Sequence, residues 1–118
     1  MDFVMNRKFL ALGRMKSGEK NKLEQAYENH LEQRKRSGEI QWYKFEGMKF
    51  RLADNCFYNP DFAVLLANGE MEIHEVKSVW MDGSKEKVRV AAELYPFRFI
   101  AVFAETKKNG GGFRYEEF

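Results

Sequence analysis

The chain is 118 residues long, with 44% hydrophobic residues and a formal net charge of +2. That length supports one domain with a modest core and excludes two. No run of about 18 apolar residues occurs, which excludes a membrane-spanning helix.

The first sixteen residues show no period and are expected to form an arm. Their apolar letters are broken by Asn6, Arg7 and Lys8, with no cleavage site behind, so no signal peptide is expected. In "SGEKNKLEQAYENHLEQRKRSGEI", Leu23, Ala26, Tyr27, His30 and Leu31 recur at helical spacing, with Ser17 or Asn21 as the cap and Gly38 as the stop. "IQWYKFEGMKFRLADN" reads as strand with a bend at Gly47 and a turn at 53–55. "CFYNPDFAVLLANGEMEIHEVKSVW" reads as two strands joined by a two-residue turn at Asn68-Gly69, with Pro60 at a bend or edge. "KEKVRVAAELY" (85–95) reads as a helix ended by Pro96, "FRFIAVFA" (97–104) as a buried strand, and 107–118 as a glycine-rich loop and tail. The predicted fold is a single α/β domain. Its order is helix, three-stranded antiparallel meander, helix and strand, with a mixed sheet flanked by helices.

Residues 1–38 hold nine lysines and arginines against five acids, and basic residues return in 85–89 and at Lys107–Lys108. Phosphate binding needs such a positive face more than a positive total, although a solvated helix surface gives the same pattern. Cys56 is the only cysteine, in keeping with a reducing cytoplasm, and His30, His74 and Cys56 have no zinc-ligand spacing.

The chemistry-bearing stretch is "NPDF" (59–62) with "HEVKSV" (74–79). Alternation along a strand puts Ile73, Glu75, Lys77 and Val79 on one face and Glu72, His74, Val76 and Ser78 on the other. A two-residue turn at Asn68-Gly69 sets Asp61 opposite about residue 76, one step from Glu75 and Lys77. A bulge near Pro60 would decide which face Asp61 takes. Two carboxylates at that distance repel, so one takes up a proton or a cation binds between them. Hard oxygen ligands suit Mg²⁺ or Mn²⁺, which can bind a phosphodiester oxygen and activate water, and a lysine alongside can orient that water. The plain alternative is a turn-capping Asp61 beside a surface Glu75–Lys77 ion pair.

Asp61, Glu75 and Lys77 in "PDFAVLLANGEMEIHEVK" resemble the signature of the PD-(D/E)xK nuclease superfamily, whose restriction-endonuclease-like core has the same element order. More closely, "NKLEQAYENHL", "GEIQWYKFEGMKFRLADNCFYNPDF", "HEVKSVWMDG" and "KVRVAAELYPFRFIAVFA" resemble small phage-encoded endonucleases described as Holliday-junction-resolvase-like. The likeness covers about residues 20–104. Ser78 stands where that family usually has glycine.

The resemblance implies a metal-dependent DNA endonuclease acting on branched DNA, in the host cytoplasm if phage-encoded. Nicking, transposon-end cutting and non-catalytic nucleic-acid binding are the alternatives. It implies that Asp61 and Glu75 hold one or two Mg²⁺ or Mn²⁺ ions with the main-chain carbonyl of Val76, and that Lys77 positions the attacking water. It also implies an acid from the first helix. Glu24 lies roughly 80° from the centre of the apolar stripe and Glu28 roughly 120°, which favours Glu24. Lys85, Lys87 and Arg89 open the second helix, where a phosphate would also meet free backbone donors, and Lys87 is the preferred contact. A junction has two-fold related strands, so a homodimer is expected.

Other conspicuous residues have plainer readings. His74 is expected in packing or at the surface and His30 in the core. Tyr27, Trp42, Tyr43 and Phe45 are read as core aromatics before base-stacking ones. Arg51 either pairs with Asp54 or contacts a ligand.

Overall fold

The structure is a computed structural model that describes residues 19–80 and 83–118. Helix α1 runs Lys22–Arg36, followed by strands β1 (Ile40–Phe45), β2 (Phe50–Ala53), β3 (Cys56–Tyr58), β4 (Phe62–Leu66) and β5 (Met71–Lys77). Helix α2 (Ser84–Leu94), β6 (Arg98–Ala104), a short 3-10 turn (Lys107–Asn109) and β7 (Phe113–Glu117) complete the chain. The main sheet has the order β1-β4-β5-β6-β7. Among the described residues only the β5–β6 pair is parallel, joined through α2, so the α/β class and mixed sheet agree with the sequence reading. Among the described residues no helix is long and apolar enough to cross a membrane.

Asn21 is the α1 cap. Its side chain accepts the Glu24 N–H at 2.7 Å, while the Glu24 carboxylate accepts the Asn21 N–H at 2.9 Å, a reciprocal capping box. Ser17, the other candidate cap, and the arm at 1–16 lie outside the described residues. The buried stripe of α1 is narrower than expected: Tyr27 and Leu31 are fully buried, Leu23 is partly so and Ala26 is exposed. Tyr27, Leu31 and Leu23 pack with Phe62, Val64, Val76, Ile100 and Val102 on one face of the sheet. On the other face Ala63, Ile73 and Phe99 pack with Val88 and Ala91 of α2 and with Phe50 and Tyr58.

Three sequence expectations need correction. The meander is not continuous, because the chain leaves the sheet after Phe45 and returns at Phe62, and β2 and β3 form a separate two-stranded sheet. Glu46 takes a positive φ of 50° and Gly47 follows, which bends the chain away. The Asn68-Gly69 loop has three residues instead of two. Leu66 N–H donates to the Glu70 carbonyl (2.8 Å), Gly69 N–H donates to the Leu66 carbonyl (3.0 Å), and Gly69 alone takes positive φ, 92°. The glycine-rich tail is a built turn. Gly110, Gly111 and Gly112 all have positive φ, Gly111 N–H donates to the Thr106 carbonyl, and the chain then adds β7 to the sheet edge against β6.

Candidate active site

The corrected loop length decides where Asp61 points. Phe62 pairs with His74, so one further step sets Asp61 opposite Glu75 and not residue 76. A one-residue slip exchanges faces, so the longer loop puts Asp61 on the face of Glu75 without a bulge at Pro60. β3 ends at Tyr58, and the buried Pro60 lies in the break between β3 and β4. Asp61 Oδ2 accepts the Val76 N–H at 2.7 Å, which holds the carboxylate at the open end of the β4–β5 ladder.

Glu75 is only 8% exposed, so it is no surface residue. Its Oε1 accepts the Tyr58 hydroxyl proton at 2.8 Å, and its Oε2 lies 3.3 Å from Lys77 Nζ. The turn-cap and exposed-pair reading therefore fails on burial. Glu24 also borders the cluster: it stands in the first turn of α1, and its carboxyl group adds to the upward push on that of Asp61. Glu28 instead meets Lys20 at 3.2 Å.

Burial, then the charge of Glu75, push the Asp61 carboxyl up to about 9. Burial likewise raises the Glu75 carboxyl, against the opposing pull of Lys77 and Tyr58. The Tyr58 hydroxyl is itself held well above its ordinary range by burial and the neighbouring Glu75. Among the described residues the site thus holds more acid than Lys77 neutralises.

A cavity of about 230 Å³ opens onto Glu75, lined also by Phe57, Tyr58, Asn59, Ser84 and Lys87. Lys87 Nζ donates to the Phe57 carbonyl at 3.1 Å, and the N-cap position of α2 is Gly83, which has no side chain. Of the three basic residues expected at phosphate, only Lys87 lines the cavity. Lys85 turns toward β7, 3.3 Å from Glu116, and Arg89 lies about 200° around the helix from Lys87.

A larger cavity, about 580 Å³, lies on the α1 side among His30, Arg34, Glu72, His74, Arg98 and Tyr115. Each of its carboxylates already meets a cation or an imidazole: Glu39 with Arg34, Glu72 with Arg98 and His74, Glu117 with Arg98. It carries no surplus charge of the kind found at Asp61.

The remaining expectations divide. His74 is buried in packing, whereas His30 is half-buried on the larger cavity's wall, not in the core. Tyr27 is core, and Tyr43 and Phe45 pack against it, but Trp42 is 39% exposed. Arg51 pairs with Asp54 at 2.8 Å. Sequence reasoning missed Tyr58. Its signal was a tyrosine three residues before Asp61, on the inward phase of a short strand.

Compared with family models, curated proteins and solved structures, the chain finds no match. The reading of the site therefore rests on its geometry. Among the described residues no group of three His, Cys, Asp or Glu side chains stands ready to enclose a metal ion. The donors nevertheless suit a hard cation in kind: two buried carboxylates that repel, Glu24 beside them, and the Val76 carbonyl between Glu75 and Lys77. As the side chains stand, Glu75 meets Lys77 and Tyr58, and Asp61 accepts the Val76 N–H.

Proposed function

We propose that the chain is a divalent-metal-dependent DNA endonuclease that cuts branched DNA, with a restriction-endonuclease-like core. The observation that carries the reading is the buried pairing of Asp61 with Glu75, beside Lys77, at the end of β5. A buried acid pair with too little counter-charge is costly to keep and is typical of catalytic centres. The order of helix, strands, helix and strand supports the fold reading.

In this proposal Asp61, Glu75, Glu24 and the Val76 carbonyl hold Mg²⁺ or Mn²⁺. The ion, when bound, offsets the acid pair and the charge that gathers on a phosphodiester under attack. Lys77 orients the attacking water and stabilises the developing negative charge. Tyr58 fixes one oxygen of Glu75 and leaves the other to Lys77. Lys87 and the backbone N–H groups that open α2 receive a phosphate at the cavity mouth. Two copies act together on the two-fold related strands of a junction.

The experiment is cleavage of four-way, nicked, linear and single-stranded DNA with Mg²⁺, Mn²⁺, Ca²⁺ or EDTA. Metal-dependent cutting that favours the four-way substrate is expected. Equal cutting of linear duplex and junction sinks the branched-DNA claim, and a monomeric mass in solution favours nicking over resolution. Binding without cutting under every metal condition favours a non-catalytic module. That second reading draws on the absence of a ready three-carboxylate cage among the described residues.

A further inference from the structure

The β2–β3 hairpin is the part of the fold that the five-stranded sheet does not use. Its inner face, Phe50 and Tyr58, is buried against α2 and Phe99. Its outer face carries Lys49 and Arg51, both at the surface, and Phe57, 39% exposed. Arg51 and Phe57 are register partners, so their side chains leave the same face, and Lys49 Nζ sits 4.6 Å from the centre of the Phe57 ring.

We infer that this outer face, Phe57 with Lys49 and Arg51, is a stacking platform for an unpaired base next to the bond that is cut. The inference rests on the nuclease reading for the identity of its ligand and narrows the substrate to DNA with an unstacked base at the site. Phe57 lines the same cavity as Glu75, and its carbonyl accepts from Lys87, so a strand entering that cavity passes the hairpin. An aromatic face flanked by cations suits a base and its phosphates, and stacking is tolerant of base identity. Arg51 is free to turn toward a phosphate, because its pairing with Asp54 joins side chains that are 62% and 94% exposed. A base inside a continuous duplex has both faces covered by its neighbours, so the platform favours branches, flaps and nicks.

Other exposed aromatics do not share this setting. Trp42 pairs with Leu65, at the far end of β4 from Asp61, and Tyr115 borders the larger cavity.

The test uses the full chain in Ca²⁺ with a four-way junction, a flapped duplex and a blunt duplex, each carrying 2-aminopurine at the branch or the equivalent position. Phe57→Ala is expected to weaken binding to the junction and flap about tenfold, to lose the quenching of the probe, and to change blunt-duplex binding less than about twofold. Phe57→Trp restores binding, Phe57→Leu does not, and Trp42→Ala behaves as wild type. Wild-type affinity for the flap in Phe57→Ala or Phe57→Leu overturns the platform, as does an equal loss on blunt duplex or a wild-type chain that binds none of the three substrates. Because binding is read without cutting, a chain that binds as expected but never cuts overturns the catalytic reading alone. A chain that cuts while Phe57→Ala cuts and binds as well as wild type overturns the platform alone.

Discussion

Two buried polar clusters hang from neighbouring residues of β5, on opposite faces of the sheet. On the α1 face Glu72 accepts from His74 Nε2 and from Arg98, each at 2.9 Å, while Tyr27 donates to His74 Nδ1 at 2.7 Å. The hydrogen bond from His74 holds the Glu72 carboxyl below its ordinary range, and burial keeps the imbalance small by lowering His74 as well. On the α2 face Asp61 and Glu75 are both raised, and among the described residues Lys77, beside Glu75, is the one cation paired with them. Burial is common to the two clusters, and charge balance is not. A matched cluster fastens α1 to the sheet, whereas an unmatched one is stable only with a proton or a cation, and that need is what gives it chemistry.

Neutralising one acid on each face should separate the two clusters most. Asp61→Asn is expected to lower cutting about 10³-fold, the scale of losing a preorganised charge at a reacting centre. Glu72→Gln, in a cluster that touches no substrate in this reading, is expected to keep its rate within about threefold. Initial rates on the best-cut DNA measure both. Equal losses would mean that the two faces are one functional unit.

The same pair differs in how stability depends on pH. Asp61 titrates near 9 in the folded chain against 3.8 for an ordinary aspartate. Its raised value makes its contribution full below about 4 and progressively lost as pH rises toward 9. Glu72 is depressed, so its contribution is present above the ordinary glutamate range and lost as pH falls through its lower folded value. In EDTA at pH 8, Asp61→Asn should therefore melt higher than wild type, by about 4 °C if the relief is about 1 kcal/mol. At pH 4 that gain should vanish. Glu72→Gln should melt lower than wild type at pH 8, with the deficit shrinking in acid. Thermal scans at the two pH values check the signs, and a gain for both variants at pH 8 contradicts the charge-balance argument.

Much of this was legible from period and punctuation. Alternation in "MEIHEVK" assigned Glu75 and Glu72 to opposite faces, and the cap at Asn21 and the stop at Pro96 set helix ends. The sequence could not give the loop length at Asn68-Gly69, because the dipeptide serves two turn types and only the observed hydrogen bonds separate them. That single residue decides the face of Asp61. Tyr58 was hidden for a related reason. Its partner Glu75 is seventeen residues away, and the contact exists only because the chain leaves the sheet at Glu46–Gly47 and returns past Pro60. Likewise β7 was obscured by glycines that read as looseness but supply three positive φ angles in a row.

A smaller effect tests whether the unmatched face needs its tyrosine. Tyr58→Phe removes one hydroxyl donor from Glu75 and keeps the ring packed against Phe50 and Phe99. Glu75 retains Lys77 but loses the bond that fixes its other oxygen. The rate should fall about tenfold while DNA affinity holds, since one such bond is worth about 1–3 kcal/mol when its acceptor is charged and buried. An affinity loss with no rate loss would place Tyr58 in the DNA contact surface and not behind Glu75.

The smallest expected effect compares two cations two residues apart. Lys87 borders the cavity that contains Glu75, and Arg89 points roughly the other way around α2. If a phosphate enters that cavity, Lys87→Ala should weaken binding a few-fold at every sequence and reduce the slope of log affinity against log salt by about one. Arg89→Ala should leave the slope unchanged. Lys87 gives up only a hydrogen bond to the Phe57 carbonyl at the surface, so the fold should tolerate the change. Equal slopes for the two variants would mean that the charge of α2 acts as a diffuse field. A loss confined to Arg89→Ala would put the DNA on the outer side of the helix, away from the acid pair, and the two faces would then have to be compared anew.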